Sequence, residues 1–263
     1  MATKGGGLNY YNKTSQTFTH YRQNATTPNW LSNDEVETLL EDPQGNIWIG
    51  TLGGGLNHFN LSNNHFTQYR HQPTNLNSLG SDSVRSIIYD QQGNLWVGTD
   101  GGGLNRLNSL TQHFTHYQHQ NNNPNSLSQN IIRAITENSN GILWVGTWGG
   151  GLNRFNPETN QFTHYRHDPN QPNSLSDDKV YVITEDKNNN LWIGTDKNGL
   201  NLFNPNTERF KHYRHDPTDQ NSLSDNPVSA ITEDTQRNMW IGTCKRLNQY
   251  NSKTEKFTHY RHD

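Results

Sequence analysis

The sequence predicts an all-β fold built from one repeated unit, and three observations support that prediction. Residues 48–57 combine a strand-like Trp-Ile-Gly-Thr segment with a glycine turn and a second apolar segment. The tryptophan of this stretch recurs every 48 residues, at Trp48, Trp96, Trp144, Trp192 and Trp240. Each repeat has the length and the turn residues for four short strands. Four strands repeated at this period are typical of a blade of a β-propeller.

The first complete repeat shows the expected elements in order. A polar loop at residues 24–33 precedes the first strand, and a turn with Gly45 and Asn46 follows it. Glycine and asparagine suit the positive φ angles of a hairpin turn. A glycine triplet then separates the second strand from the third. We expect strands A, B, C and D of this repeat at residues 35–41, 47–51, 56–60 and 65–71.

The strand count predicts five complete blades and an incomplete leading one. A C strand at residues 7–12 and a D strand at residues 18–22 precede the first A strand. We therefore expect six blade positions, with a two-strand half-blade at the N-terminus and a ring that is not fully closed. Unpaired blade edges would favour homo-oligomers. The expected organisation is one propeller domain over residues 1–263, with the half-blade at 1–23 and blades at 24–71, 72–119, 120–167, 168–215 and 216–263.

Composition excludes several classes of function. The net charge is −3 and no basic run is present, so we expect no nucleic-acid partner. The apolar runs are too short to insert into a membrane, and residues 1–4 show no hydrophobic signal peptide. Cys244 is the single cysteine and cannot form an internal disulfide. The expected partners are small polar ligands or other proteins, without a bound cofactor.

Residues that repeat identically are expected to build the scaffold. We expect the five tryptophans to act as wedges between adjacent blades, each contributing at most on the order of 4–6 kcal/mol. The glycine triplet lies between strands rather than before a helix, which argues against phosphate binding. The histidines of the Phe-Thr-His-Tyr-Arg-His motif recur once per blade, so equivalent copies should lie far apart. The turn at 186–190 lacks the glutamate that completes a calcium loop. We therefore predict no metal site.

Positions that differ between blades are the candidates for an asymmetric ligand site. The D–A loops and B–C turns should lie on one face, near the mouth of the central channel. Several copies carry arginine or aromatic residues there, which suit a carboxylate or a sugar through bidentate hydrogen bonds and stacking. Ordinary drift on a solvated face is the alternative interpretation. The candidate ligand-binding residues are Trp30, Glu37, Arg85, Arg133, Trp148 and Tyr181.

A longer pattern resembles a known family. Residues 174–205 read Ser-Leu-Ser-Asp-Asp-x-Val, then Ile-x-Glu-Asp, Leu-Trp-Ile-Gly-Thr-Asp and Gly-Leu-Asn-x-Phe-Asn-Pro. This pattern resembles the two-component regulator propeller repeat, and the resemblance covers essentially the whole chain. It implies the periplasmic or extracytoplasmic sensor part of bacterial signalling proteins, some of which sense glycan fragments.

Three functions are compatible with this resemblance. The favoured one is a non-enzymatic sensor or binding module for a glycan or a small carboxylate. The alternative is a recently amplified propeller that acts as a protein-interaction scaffold, since the blades are nearly identical and evenly spaced. A propeller lyase similar to the streptogramin lyases is less favoured, because an enzyme needs catalytic residues confined to one or two blades. His58 is the only histidine at its C-strand position, and one residue is not a catalytic constellation.

Overall fold

The computed structural model describes residues 1–3, 5–24 and 30–260, which form strands, turns and irregular segments. Half of the polar loop predicted at residues 24–33, and the last three residues of the chain, lie outside those ranges. The described residues include no helix with the length and hydropathy needed to cross a membrane. They group into two compact units, residues 1–119 with 130–132 and residues 120–129 with 133–263.

The first unit begins with a three-stranded antiparallel sheet. Its second and third strands are the C and D strands predicted for the half-blade. The first strand is an addition, because the sequence predicts no strand before residue 7. Thr3 pairs with Gly7 just as Thr51 pairs with Gly55, so this short strand is the end of a B strand. The strands are β1 (Ala2–Thr3), β2 (Gly7–Asn12) and β3 (Thr17–Tyr21).

Two four-stranded antiparallel sheets complete the first unit, and each has the order A-B-C-D. The bounds predicted for the first of them agree with the structure to within two residues. Its strands are β4 (Val36–Glu41), β5 (Ile47–Thr51), β6 (Gly55–Asn60) and β7 (His65–Tyr69). The strands of the next are β8 (Val84–Tyr89), β9 (Leu95–Thr99), β10 (Leu104–Leu107) and β11 (Phe114–Tyr117).

The second unit contains three sheets of the same order, except that the first residue of its first strand groups with the other unit. The first sheet has β12 (Ile132–Glu137), β13 (Leu143–Thr147), β14 (Leu152–Asn156) and β15 (Gln161–Tyr165). The second has β16 (Val180–Glu185), β17 (Leu191–Thr195), β18 (Leu200–Asn204) and β19 (Arg209–Tyr213). The third has β20 (Val228–Glu233), β21 (Met239–Thr243), β22 (Leu247–Asn251) and β23 (Lys256–Tyr260).

The A–B turns owe their shape to an aspartate. Asp42 Oδ1 accepts the backbone N–H groups of Gln44 and Asn46 at 2.9 and 2.8 Å. Gly45 adopts a φ of 82°, which an L side chain rarely tolerates. The same carboxylate geometry recurs at Asp186 in the second unit. Local side-chain hydrogen bonds of this kind fix tight turns and explain why four of the five A–B turns have aspartate here, with Asn138 in the other.

The core of each unit consists of layers between consecutive sheets. Trp48 of β5 packs with Ile87 and other apolar residues of the next sheet. Trp144 and Trp192 pack in the same way against the sheets that follow them in the second unit. The sheets approach closely where strand B carries glycine: a Cβ on Gly194 would lie 2.6 Å from Val228 Cγ1. Burial of the tryptophan face therefore holds neighbouring sheets together.

Candidate functional site

A bulge near the start of strand A positions the variable side chains. The pairing of strands A and B shifts register between Val36 and Thr38, and Glu37 is the extra residue. Arg85 and Tyr181 hold the same bulged position in later sheets. A bulge re-aims one side chain out of the regular alternation of a strand. Glu37, Arg85 and Tyr181 thus leave their sheets at one structurally constant point.

In the first unit, the arginine at this bulged position forms ion pairs with two carboxylates. Arg85 Nη1 donates to Glu37 Oε1 at 2.9 Å, and its Nη2 donates to Asp100 Oδ2 at 2.8 Å. Burial disfavours the guanidinium charge, but the two carboxylates outweigh it and raise the pKa of Arg85. Two carboxylates therefore already satisfy the arginine, which leaves it little capacity for an anionic ligand.

Trp30 does not join that cluster in the structure. Its carbonyl accepts a hydrogen bond from Gln68 Nε2 at 2.7 Å, and its side chain is half-buried. None of the described residues places a ring or a cation against its indole. The first unit therefore brings together Glu37 and Arg85 of the three candidates that it contains.

In the second unit, the side chains of the other three candidates contact one another. The guanidinium carbon of Arg133 lies 4.8 Å from the ring centroid of Trp148 and 5.9 Å from that of Tyr181. The two aromatic rings meet edge to face, with centroids 5.0 Å apart. Cation–π contacts of this kind stabilise a partly desolvated cation. The structure thus assembles Arg133, Trp148 and Tyr181 into one surface cluster.

A fourth residue, Lys179, belongs to this cluster. Its Nζ lies 4.6 Å from the centroid of Trp148, on a residue that pairs with Trp148 through an isolated antiparallel bridge. The same Nζ lies 3.6 Å from Asp196 Oδ2. Lys179 stands immediately before strand A, at a position that varies between repeats, so the sequence contained the signal for it. We name Arg133, Trp148, Lys179 and Tyr181 the Arg–Trp cluster.

The guanidinium of Arg133 is incompletely satisfied. Its Nε is buried and has no hydrogen-bond partner among the described residues. The cause is visible in the repeats: Asp100, which pairs with Arg85, is replaced by Trp148 in the next copy. No carboxylate of the described residues lies within ion-pair distance of Arg133. The Arg–Trp cluster therefore presents two cations with one nearby carboxylate, beside two half-buried aromatic rings.

The repeated histidines take part in the scaffold. His164 Nε2 lies 2.7 Å from the carbonyl oxygen of Ser126, and His212 Nε2 lies 2.8 Å from that of Ser174. The last histidine of the motif differs: His167 Nδ1 contacts the carbonyl of Leu175 at 2.9 Å. These contacts join strand D, or the residues just after it, to the loops that precede the A strands. They give the repeated imidazoles a structural explanation.

His58, the histidine without a counterpart, forms a local pair. Its Nε2 lies 2.8 Å from Asp42 Oδ2, and its ring lies 4.3 Å from that of Trp48. Burial opposes the charge of Asp42, but hydrogen bonds from His58 and from the turn lower its pKa overall. Among the described residues, no group of three or more histidine, cysteine, aspartate or glutamate side chains has the geometry to hold a metal ion.

Comparison with family models identifies the repeat. The model described as the two component regulator propeller matches five segments, at residues 31–53, 78–101, 126–149, 174–197 and 222–245. Each segment contains strands A and B of a sheet and extends into the B–C turn. No curated protein sequence matched the chain.

Solved structures show where this fold has been seen. The extracellular domain described as that of the hybrid two component system BT3049 from B. thetaiotaomicron is 23% identical, with a TM-score of 0.74 over 99% of this chain and 39% of that one. The extracellular domain of BT4673 from the same organism is 25% identical, with a TM-score of 0.58 over 97% and 39%. This chain therefore spans about two-fifths of the length of those domains.

An enzyme shares the fold at lower similarity. Virginiamycin B lyase from Staphylococcus aureus is 17% identical, with a TM-score of 0.63 over 86% of this chain and 69% of the lyase. Together these likenesses show a β-propeller fold, as the sequence predicted.

Proposed function

Because this chain belongs to the two component regulator propeller family, as its five matched repeats show, we propose that it is a non-enzymatic ligand-binding module. The ligand class is a carboxylated glycan or another small carboxylate. The binding surface is the Arg–Trp cluster of the second unit. The single observation that carries the proposal is the buried Arg133 Nε, which has no hydrogen-bond partner among the described residues, in a guanidinium that lies against two aromatic rings.

The chemistry of the cluster matches this ligand class. A carboxylate accepts two parallel hydrogen bonds from a guanidinium, and the arrangement is stronger than a neutral hydrogen bond. Lys179 adds a second positive charge near the same rings. Sugar rings carry apolar C–H faces that pack on tryptophan and tyrosine, while their hydroxyls stay solvated. An acidic sugar would therefore use both the charge and the aromatic surface.

The neighbouring repeat supports the assignment by contrast. Arg85 occupies the same position as Arg133 but is already paired with Glu37 and Asp100. An external carboxylate would have to displace one of these partners. The lost ion pair would cancel most of the free energy gained on binding. The proposal therefore assigns binding to the second unit alone and gives Glu37, Arg85 and Trp30 no direct ligand contact.

The cellular role that we propose follows the family. The neighbours BT3049 and BT4673 are described as extracellular domains of signalling systems. We propose that this chain likewise works outside the cytoplasm and passes on ligand binding through the packing of its sheets. In favour of a binding rather than a catalytic role, the histidines of strand D contact backbone carbonyls in the scaffold.

A thermal-shift screen tests the proposal. The panel contains oligogalacturonate, its neutral methyl ester, neutral glucans and simple carboxylates. We expect stabilisation by the acidic oligosaccharide and none by its methyl ester, because esterification removes the charge and keeps the sugar shape. Stabilisation by a neutral sugar alone, or by no member of the panel, would contradict the proposed ligand class.

Matched variants locate the site. Arg133→Ala and Trp148→Ala should each abolish the shift, while Arg85→Ala should leave it unchanged. The Arg85 variant controls for the loss of an arginine at the same position of the repeat. An equal loss of binding in Arg85→Ala would place the ligand elsewhere. Capture of a protein partner by a chain that binds no acidic ligand would favour the interaction-scaffold alternative.

A further inference from the structure

Asp196 supplies a carboxylate that pairs with the Arg–Trp cluster. It follows strand β17 directly, in the B–C turn, and its Oδ2 lies 3.6 Å from Lys179 Nζ. The backbone holds the two residues side by side, because the Asp196 N–H donates to the Lys179 carbonyl at 3.1 Å. Among the residues that the structure describes, neither charge has another ion-pair partner. The lysine and the aspartate therefore form an exclusive pair at the edge of the cluster.

The same turn position in the first unit makes a tighter pair. Asp100 Oδ2 accepts hydrogen bonds from both Nε and Nη2 of Arg85, at 3.2 and 2.8 Å. Lys179 makes a single, longer contact with Asp196, and its side chain is 38% exposed. Part-exposed ion pairs of this kind are weak, because water screens both charges. Asp196 thus occupies Lys179 without fixing it as firmly as Asp100 fixes Arg85.

The charges of the cluster leave one positive charge without a counter-ion. Arg133 and Lys179 are cationic, and Asp196 neutralises the lysine. The remaining charge belongs to Arg133, whose buried Nε has no hydrogen-bond partner among the described residues. One ligand carboxylate on Arg133 would balance the site. A second carboxylate would reach Lys179 only by displacing Asp196, which has the same sign of charge and repels it.

Lys179 lies close enough to Arg133 to serve the same ligand. Its Nζ lies 4.6 Å from the ring centroid of Trp148, and the guanidinium carbon of Arg133 lies 4.8 Å from that centroid. The two cations are no farther apart than the sum of these distances, which is within the span of a short oligosaccharide. A lysine side chain is flexible and can aim its three donors at a new partner. Its pairing with Asp196 is therefore what withholds Lys179 from a ligand.

Resting on the carboxylate-binding function that we propose for the cluster, we propose that Asp196 is a specificity-determining residue of this site. It acts as an internal competitor: its carboxylate occupies Lys179 and leaves Arg133 as the ion-pair partner of the ligand. The site therefore selects an acidic sugar unit that presents one carboxylate, and it gains nothing from a second carboxylate on the neighbouring unit. Selectivity of this kind depends on a repulsive element in the site as well as on attraction.

Calorimetric titration with two probes tests the selection. The probes are digalacturonate and its monomethyl ester, which keeps both rings and has one carboxylate. We expect the parent chain to bind the two probes within about twofold of each other, because the second carboxylate finds no partner. Asp196→Asn should bind the diacid about three- to fivefold more tightly than the ester, the range that a part-exposed ion pair supplies. Its diacid complex should also weaken more steeply with salt than that of the parent.

A charge-matched variant separates release of the lysine from a general change of charge. Asp177 accepts the backbone N–H groups of Lys179 and Lys197 at 3.0 and 3.1 Å, so it lies in the adjoining loop without pairing with the lysine side chain. Asp177→Asn removes the same charge as Asp196→Asn and should keep the diacid-to-ester ratio of the parent. Lys179→Ala in the Asp196→Asn background should remove the gain. Thermal unfolding checks that each variant is folded.

The outcomes separate this proposal from the function on which it rests. If the parent binds both probes and Asp196→Asn keeps the parent's ratio, Asp196 is not a competitor, while the assignment of the ligand to Arg133 stands. An equal rise of the ratio in Asp177→Asn, or a clear preference of the parent for the diacid, would overturn the proposal in the same way. Failure of the parent to bind either probe would contradict the proposed function and this proposal together.

Discussion

Trp144 offers a direct test of how the repeat stabilises its wedge. Its side chain is 1% exposed, and its Nε1 has no hydrogen-bond partner among the described residues. In two other sheets of the chain, Trp192 and Trp240 donate to Asp186 and Asp234 at 2.9 Å. The repeat that contains Trp144 has asparagine at this position, Asn138. Asn138→Asp should therefore give the buried indole an acceptor.

The expected gain follows from the cost of a buried donor without a partner, which is about 1–3 kcal/mol. We expect part of that cost to remain, because this repeat also lacks the asparagine that donates to the aspartate in other repeats. We expect Asn138→Asp to raise the free energy of unfolding by about 1–2 kcal/mol at neutral pH. In a chain of this size, each 1 kcal/mol corresponds to about 2–4 °C in the midpoint of thermal unfolding. Urea denaturation measures the change.

The gain should depend on pH in a defined direction. The hydrogen bonds from Trp240 and Asn238 lower the pKa of Asp234 to about 2. A new carboxylate in the same setting should likewise titrate below the value of about 3.9 for an unfolded chain. A lowered pKa stabilises the folded state above the unfolded value and loses that effect as the pH falls through the folded value. The gain should be complete at pH 7 and absent near pH 2.

A double-mutant cycle decides whether the stabilisation by Asn138→Asp comes from the hydrogen bond of the Trp144 indole. In a Trp144→Phe background the donor is missing, and Asn138→Asp should bring no stabilisation. Asp186→Asn is the reverse control in the next sheet and should lower the free energy of unfolding by about 1 kcal/mol. An equal gain with tryptophan and phenylalanine would refute the hydrogen-bond explanation, as would no gain at pH 7.

Gly194→Ala should cost about 1–3 kcal/mol in urea denaturation because its Cβ would lie 2.6 Å from Val228, whereas Gly242→Ala, with 3.2 Å to Ala230, should cost less. Burial, and next its 2.7 Å hydrogen bond to Glu208, raise the pKa of Tyr165 to about 12, so Glu208→Gln should lower it in a spectrophotometric titration. This raised pKa stabilises the fold below about pH 10, and the effect should disappear as the pH rises through 12. His164→Ala should cost about 1 kcal/mol by removing the contact with Ser126, while alanine at the exposed His113 should have no effect on thermal unfolding.

The sequence alone predicted most of the fold because the repeat is strong. A fixed period, a tryptophan and a glycine turn define the strands, and the B strand predicted at residues 47–51 has those bounds in the structure. The end strand Ala2–Thr3 was missed because two residues show no periodicity. Aligning Thr3 with Thr51 across the glycine turn would have revealed it.

The candidate site was less accessible to sequence reasoning. Variation between repeats identified Arg85 and Arg133 as equals, since both are arginines at the same position of the repeat. Their difference depends on the facing side chains: Glu37 and Asp100 neutralise one, and Trp148 stacks on the other. Those contacts join one repeat to another or cross a turn, and a single repeat does not show them. Lys179 was visible as a variable residue, but its place beside Trp148 required the structure.

The most direct test of the proposed function is calorimetric titration of oligogalacturonate into the parent chain, Arg133→Ala and Arg85→Ala. We expect exothermic binding to the parent and to Arg85→Ala, weakened at high salt because the contact is ionic. We expect no measurable binding to Arg133→Ala. Binding that survives in Arg133→Ala, or that is lost only in Arg85→Ala, would contradict the assignment of the ligand site to the Arg–Trp cluster.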